Sequence, residues 1–380
     1  VATRPVRDPK KPKSALRIVR NRIITGIFVA LPVFITFLVI LYICNLLSRY
    51  IIGPIARLLI QFWRTQTVEE LPWYVEYFAA PAVAALIVLA IFPFMASNYA
   101  LLLAGQIGIF IVEVTGPNVL IGYTGPMSLG HGAFFAVGAY TTVAIHHEWP
   151  LTFPLITLII STVVAAAFGV LFGLPSLRVK GLYLAVATLS ANFIILFLIE
   201  QDWLAEWTGG ISGTETPNAV FFGIELVSQQ AKYFFIMPVM VLMLLFAQNL
   251  FRTRFGRALI AIRDKDYSAE ILGIALFSHK LKSFAISAAY CGAAGSLWAY
   301  FFPAILPEDF GLNMSITLVV CLVAGGMGRT LGPIFGTILI LLVPELLKIV
   351  AGNITGGDAT AQTWVSPTRD ILFGLMIIGF

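Results

Sequence analysis

Charged side chains are scarce in this sequence: Asp, Glu, Lys and Arg make up 11% of its 380 residues, less than half the roughly 25% usual for a soluble domain. Apolar residues reach 59%, and runs near or above the roughly 18 residues needed to cross a bilayer recur along the chain. A soluble globular protein is excluded. A membrane β-barrel is excluded too, because these runs do not alternate apolar and polar residues with period two. The fold class expected is all-α, a polytopic bundle of about 10–11 transmembrane spans. Cysteine is also rare. Cys44, Cys291 and Cys321 are widely separated in apolar runs, so no zinc or disulfide spacing exists and they read as small buried hydrophobes. The four histidines, His131, His146, His147 and His279, form no catalytic or metal-binding set. His146 and His147 abut Glu148, but adjacent residues on a helix do not share a face, so the pair reads as an interfacial loop. No serine has a nearby base or an elbow motif. The glycine-rich Ala324–Thr330 lacks the Gly-Lys-Ser/Thr ending of a phosphate-binding loop and has no strand before it, so this chain holds no nucleotide there. Gly325, Gly326, Gly328 and Gly332 instead suit a tight turn between two spans, closed by Pro333.

What remains is a series of apolar segments near 24–47, 76–94, 98–117, 127–145, 151–173, 182–199, 233–250, 282–302, 314–327 and 333–350, with a partial one from 371. Their connections differ in charge. Residues 252–282 carry Arg252, Arg254, Arg257, Arg263, Lys265, Lys280 and Lys282; Arg178 and Lys180 form a second basic turn, and Arg329 sits in the glycine-rich one. Residues 201–232 carry Asp202, Glu206, Glu215 and Glu225 against Lys232, and 303–313 carry Glu308 and Asp309. Positive-inside logic places 174–181, 252–281 and 326–332 in the cytoplasm and 146–150, 200–232, 303–313 and 351–370 outside.

The N-terminal part breaks this order. Residues 1–22 hold eight Lys or Arg and belong inside, which sends span 24–47 outward. Counting back from Arg178 makes span 76–94 also run outward, so one crossing is missing. Segment 49–64 is too short to cross as a straight helix. It suits the interface, with Arg49, Arg57 and Arg64 in the headgroups and Trp63 as an anchor. The basic start leads into its apolar run without a small-residue cleavage site, so no cleavable signal peptide is expected. A first residue that is Val and an ending within a short apolar run, 371–380, suggest a piece of a longer chain, truncated at the C-terminus.

Two stretches invite a functional reading. In RTRFGRALIAIRDKDYSAEILGIALFSHKLKSFAIS, 252–287, charges of both signs accompany a helical pattern with Leu259, Ile262, Ile271, Leu272 and Ile274 as apolar points. Gly256 and Gly273 read as the helix breakers that bracket it. Such a helix either docks on a partner or is a solvated basic loop. In GYTGPMSLGHGAFFAVGAY, 122–140, Gly122, Gly125 and Pro126 should interrupt a helix. Ser128, Gly132 and Ala136 form a small-residue stripe that favours close helix packing. Gly130 and His131 lie between. Helix packing, lining of a solute path through a broken helix, and a catalytic or metal-binding histidine are the alternatives. The outer loop TGGISGTETP, 208–217, is either a contact for a solute-delivering protein or a connector.

Four stretches carry a resemblance: NVLIGYTGPMSLGHGAFFAVGAYTT at 118–142, LPSLRVKGLYLAVATL at 174–189, FGRALIAIRDKDYSAEILGI with KLKSFAISAAYCGAAGSLWAYF at 255–301, and LVAGGMGRTLGPIFGTIL at 322–339. In this order they resemble the M-type permease subunits of branched-chain amino acid ABC importers, over residues 71–380. Residues 14–64 resemble a separate family of small, uncharacterised bacterial membrane proteins. The chain thus divides near residue 70, either as a genuine fusion or as a misjoined gene; the missing crossing favours the second.

The importer resemblance implies no enzyme activity and no cofactor in this chain, with ATP and Mg on partner subunits. It implies cytoplasmic ATP-binding subunits, a second permease of the H type, an extracytoplasmic solute-binding protein and a bacterial inner membrane as surroundings, and no nucleic acid. By position, Gly256, Arg257, Arg263, Ala269, Glu270 and Gly273 fall on the helix that such permeases insert into the ATP-binding subunit. Importer loops carry Glu-Ala-Ala and then Gly three residues on. Ser268-Ala269-Glu270 with Gly273 departs from that pattern, which leaves individual contacts open. Permeases for urea and short amides are similar, and a passive channel or structural membrane protein is the alternative from another class.

Overall fold

The computed structural model describes residues 80–149, 153–179, 181–221 and 224–355. Span 24–47, segment 49–64, Cys44, the division near residue 70 and the stretch from 371 lie outside the described residues. The described chain is a helical bundle, and the chain is a membrane protein. Helix α1 (Ala80–Met95) leads to α2 (Asn98–Pro117), which Ser97 caps by accepting from the Ala100 N–H at 3.3 Å. Then follow α3 (His131–Glu148), α4 (Pro154–Ser176), α5 (Leu182–Ile199) and the short α6 (Ala205–Thr208). Helix α7 (Gln229–Arg252) is capped by Ser228 and passes into the short α8 (Arg254–Asp264) and α9 (Asp266–Ile271). Three longer helices close the described chain: α10 (Leu276–Phe301), α11 (Leu312–Gly325) and α12 (Gly332–Thr355).

Among the described residues, four helical stretches are long and apolar enough to cross a membrane: Asn98–Gly122, Pro154–Ser176, Gln229–Arg252 and Pro307–Gly325. The less greasy α3 and α10 occupy the interior, with α10 packed against α4, α3 and α2. This ordering has a physical reason. Lipid is as apolar as leucine, so helices inside a membrane bundle associate through small residues that admit close backbones. A Cβ on Gly138 of α3 would lie 2.1 Å from the carbonyl oxygen of Gly292 on α10, and one on Gly292 would lie 2.2 Å from Ala165 Cβ on α4. Thr142 of α3 and Ser161 of α4 add a hydrogen bond of 2.9 Å across the same junction.

The acidic end is stitched by short backbone ladders. Strand β1 (Thr214–Glu215) pairs antiparallel with β4 (Ala304–Ile305), and β2 (Val220–Phe221) pairs with β3 (Ile224–Glu225). Trp207 Nε1 donates to Glu148 at 2.9 Å, which ties loop 200–232 to the end of α3. The His146–His147 pair is not in a loop. It forms the last turn of α3, where His146 is buried and its Nε2 lies 3.3 Å from Tyr300 Oη. Ile145 and His146 seat one side of this turn on the bundle while His147 and Glu148 are exposed, and the helix runs on past the expected boundary at 145.

Candidate functional site at the basic end of the bundle

The helix that begins as α2 does not end cleanly. After Pro117 the backbone widens into a π-helical turn over Asn118–Gly122, stays helical through Thr124, where the Gly125 N–H still donates to the Leu120 and Ile121 carbonyls, and then has no regular secondary structure to Gly130. Gly125 adopts φ +97°, which a residue with a Cβ rarely tolerates. Buried backbone polar groups need partners, and here side chains from two other helices supply them, while a third holds the His131 ring. The Leu129 N–H donates to Thr188 Oγ1 of α5 at 3.0 Å, and the Gly132 N–H donates to Ser315 Oγ of α11 at 3.1 Å. His131, 1% exposed, shares a hydrogen bond of 2.9 Å between Nε2 and Ser287 Oγ of α10. Gly130 sits so close to α5 that a Cβ there would lie 2.6 Å from the Thr188 carbonyl oxygen. Ser128 lies ahead of the helix, not within it, so the small-residue stripe starts at Gly132 and continues with Ala136. The interruption after Pro126 extends four residues further than expected, which removes Ser128 from the stripe.

The charged loop folds as two helices, not one. Lys265 is extended (φ −155°, ψ 104°) and separates α8 from α9. Gly256 is not a breaker: it is buried in the first turn of α8, where its N–H donates to the Thr253 cap. A Cβ there would lie 2.4 Å from the Phe251 carbonyl oxygen, so the glycine permits the sharp corner between α7 and α8. Gly273, with φ +84°, does end the segment. Leu259 and Ile262, three apart, are buried against the bundle; they are anchors of α8 and not partner-facing points. Ala269 is buried on α9, whereas Ile271 and Leu272 are 70% and 79% exposed. Arg257 and Glu270 are exposed. Lys280 of α10 holds Asp266 of α9 at 2.6 Å.

These two stretches and the glycine-rich turn meet. Arg263 Nη1 donates to the Gly122 carbonyl, at the end of the π-helical turn, and the Arg263 side chain lies over Gly125. Asn118 Nδ2 donates to the Arg329 carbonyl at 2.9 Å, while its Oδ1 accepts from the Gly328 N–H at 3.0 Å. Tyr123 stacks on Phe251 at the end of α7, with ring centroids 3.6 Å apart, and its Oη lies 3.3 Å from Thr330 Oγ1. Gly326 and Gly328 take positive φ in that turn, and Gly325 and Gly332 face each other so closely that a Cβ on Gly325 would lie 1.9 Å from the Gly332 carbonyl oxygen. The arrangement joins an exposed amphipathic element mechanically to a broken helix. It offers no catalytic set, and no group of three or more metal-ligating side chains exists among the described residues.

Residues 99–380 match the family described as branched-chain amino acid transport system, permease component. The chain belongs to this family. It is 34% identical over 290 residues to the high-affinity branched-chain amino acid transport system permease protein LivM of Escherichia coli, covering 70% of this chain and 67% of that one. The protein of the same name from Salmonella typhimurium is 32% identical over the same shares. A probable branched-chain amino acid transport permease protein LivM of Methanocaldococcus jannaschii is 24% identical, over 59% of this chain and 64% of that one. No solved structure matches significantly. A permease is a transport subunit and not an enzyme. Asn118, Thr188, Ser287 and Ser315 do not stand out in the sequence. They are visible there as small polar residues inside apolar spans, but such residues are too common for the type alone to separate a bridge from a filler.

Proposed function

We propose that this permease forms part of the solute path of an ABC importer for branched-chain amino acids in a bacterial inner membrane. Its partners are cytoplasmic ATP-binding subunits, which hold ATP and Mg, an H-type permease, and an extracytoplasmic solute-binding protein. The named relatives support the substrate class. The contact between Arg263 and the Gly122 carbonyl supports the mechanism. Helices α8 and α9 present Arg257, Glu270, Ile271 and Leu272 outward, a mixed polar and apolar surface suited to a cleft on another subunit. Burial of Leu259 and Ile262 makes α8 move with the bundle end, and Arg263 carries that displacement to the π-helical turn. A backbone with no helical ladder from Pro126 to Gly130 shifts at lower cost than an intact helix, and so opens or closes the path beside it.

The double substitution Ile271→Glu and Leu272→Glu tests the docking half of this reading, because both side chains are exposed and their loss leaves the bundle core untouched. The expected result is a folded permease from which the ATP-binding subunits no longer co-purify and which supports no ATP-dependent leucine uptake. Unchanged co-purification and uptake would overturn it.

A further inference from the structure

Glu113 lies on α2, one turn before Gly116, and is 0% exposed. Neither carboxylate oxygen has a hydrogen-bond partner among the described residues. Its surroundings are small and close. A Cβ on Gly116 would lie 2.6 Å from the Ser287 carbonyl oxygen and 2.9 Å from Cys291 Sγ, so α2 and α10 touch through their backbones there. Cys291 Sγ sits 3.9 Å from the Glu113 carbonyl oxygen, and Cys321 of α11 lies within electrostatic reach of the Glu113 carboxyl group. A buried carboxyl group without a partner costs free energy on general grounds, and apolar residues of similar size would fill the site at lower cost. Structural need therefore does not account for it.

We infer that Glu113 forms a subsite for the ammonium group of the transported solute, closed in this structure. The inference rests on the proposed importer function, and follows from three features. An ammonium carries three N–H donors and a positive charge, and Glu113 offers two unpaired carboxyl oxygens. A carboxyl group that lacks a partner when the path is empty gains one when solute occupies it. And Glu113 stands on the helix whose far end Arg263 grips at Gly122, so a motion of the broken segment is passed along the helix that carries Glu113.

The test uses the whole importer, with its ATP-binding and solute-binding subunits, reconstituted in liposomes and supplied with labelled leucine. Glu113→Gln keeps the size and removes the charge; Glu113→Asp keeps the charge; Glu113→Leu removes both charge and polarity. Uptake is expected to fall about tenfold or more with Gln and Leu, the scale of one lost charge-assisted hydrogen bond, and to fall less with Asp. All three complexes should assemble at wild-type yield, and the Leu variant should melt no lower than the wild type. Full uptake with Gln overturns the subsite. So does a melting temperature that drops with Leu in step with lost uptake, which marks a packing role. A wild-type complex that takes up no leucine overturns the importer function itself, and the subsite with it.

Discussion

A glycine at position 138 lets α3 and α10 approach until a methyl group would sit 2.1 Å from a carbonyl oxygen. That distance decides what a substitution does. Gly138→Val must push α3 off α10. Close backbone packing is what holds a bundle together where no hydrophobic drive between helices exists, and the separation removes it along both helices. The expected outcome is loss of folded, detergent-extractable permease, measured as a monodisperse peak; a wild-type peak would show that the two helices are not so close. His131 presents the opposite case. Its ring is tied to Ser287 by one hydrogen bond of 2.9 Å, so His131→Ala leaves a buried hydroxyl unpaired at a cost of about 1–3 kcal/mol. His131→Gln retains a donor and an acceptor and should recover most of the thermal stability. Equal melting temperatures for Ala and wild type would argue against the bond. The glycine and histidine are conspicuous in the sequence because they are costly in a span. Their partners are not, because a contact across 150 residues leaves no local pattern. Spacing alone puts Ser128 in the stripe, and spacing has meaning only where a helix exists.

At the scale of elements, the broken end of α2 is held by two bridges from the glycine-rich turn and by Arg263 from α8. Asn118 makes two of these contacts with one side chain, to the Gly328 N–H and the Arg329 carbonyl. Asn118→Ala removes both and leaves backbone groups of the turn unpaired, so faster amide exchange is expected across 326–331 while α10 stays protected. Exchange that does not change there would remove the turn from the clamp. The Lys280–Asp266 pair contributes less. With side chains 19% and 44% exposed it is partly screened, and Lys280→Ala should cost about 1 kcal/mol or less, leaving the melting temperature nearly unchanged. A drop of many degrees would show a larger role in seating α9. The helical spans are legible from apolar runs, and most of their ends fall within a few residues of the expected ones. The split between α8 and α9 is not, because Lys265 is neither Gly nor Pro and breaks the helix through an extended backbone. Leu259 and Ile262 are visible as an apolar face, but the sequence does not say whether such a face meets its own bundle or another chain.

Across the described residues, the basic connections gather at one end of the bundle and the acidic ones at the other, as the helices alternate in direction. Three stretches that lie far apart in the sequence, at 118–132, 254–273 and 325–332, converge at the basic end. Their convergence is the central structural result, since it connects the surface proposed to meet an ATP-driven partner with the interrupted helix that enters the interior. The most direct measurement is the number of leucine molecules taken up per ATP hydrolysed by the reconstituted importer carrying Arg263→Ala. Loss of the bond to Gly122 should lower that ratio about tenfold or more, the scale of a hydrogen bond from a charged donor, because hydrolysis would no longer move the broken segment. A ratio equal to that of the wild type would contradict the account.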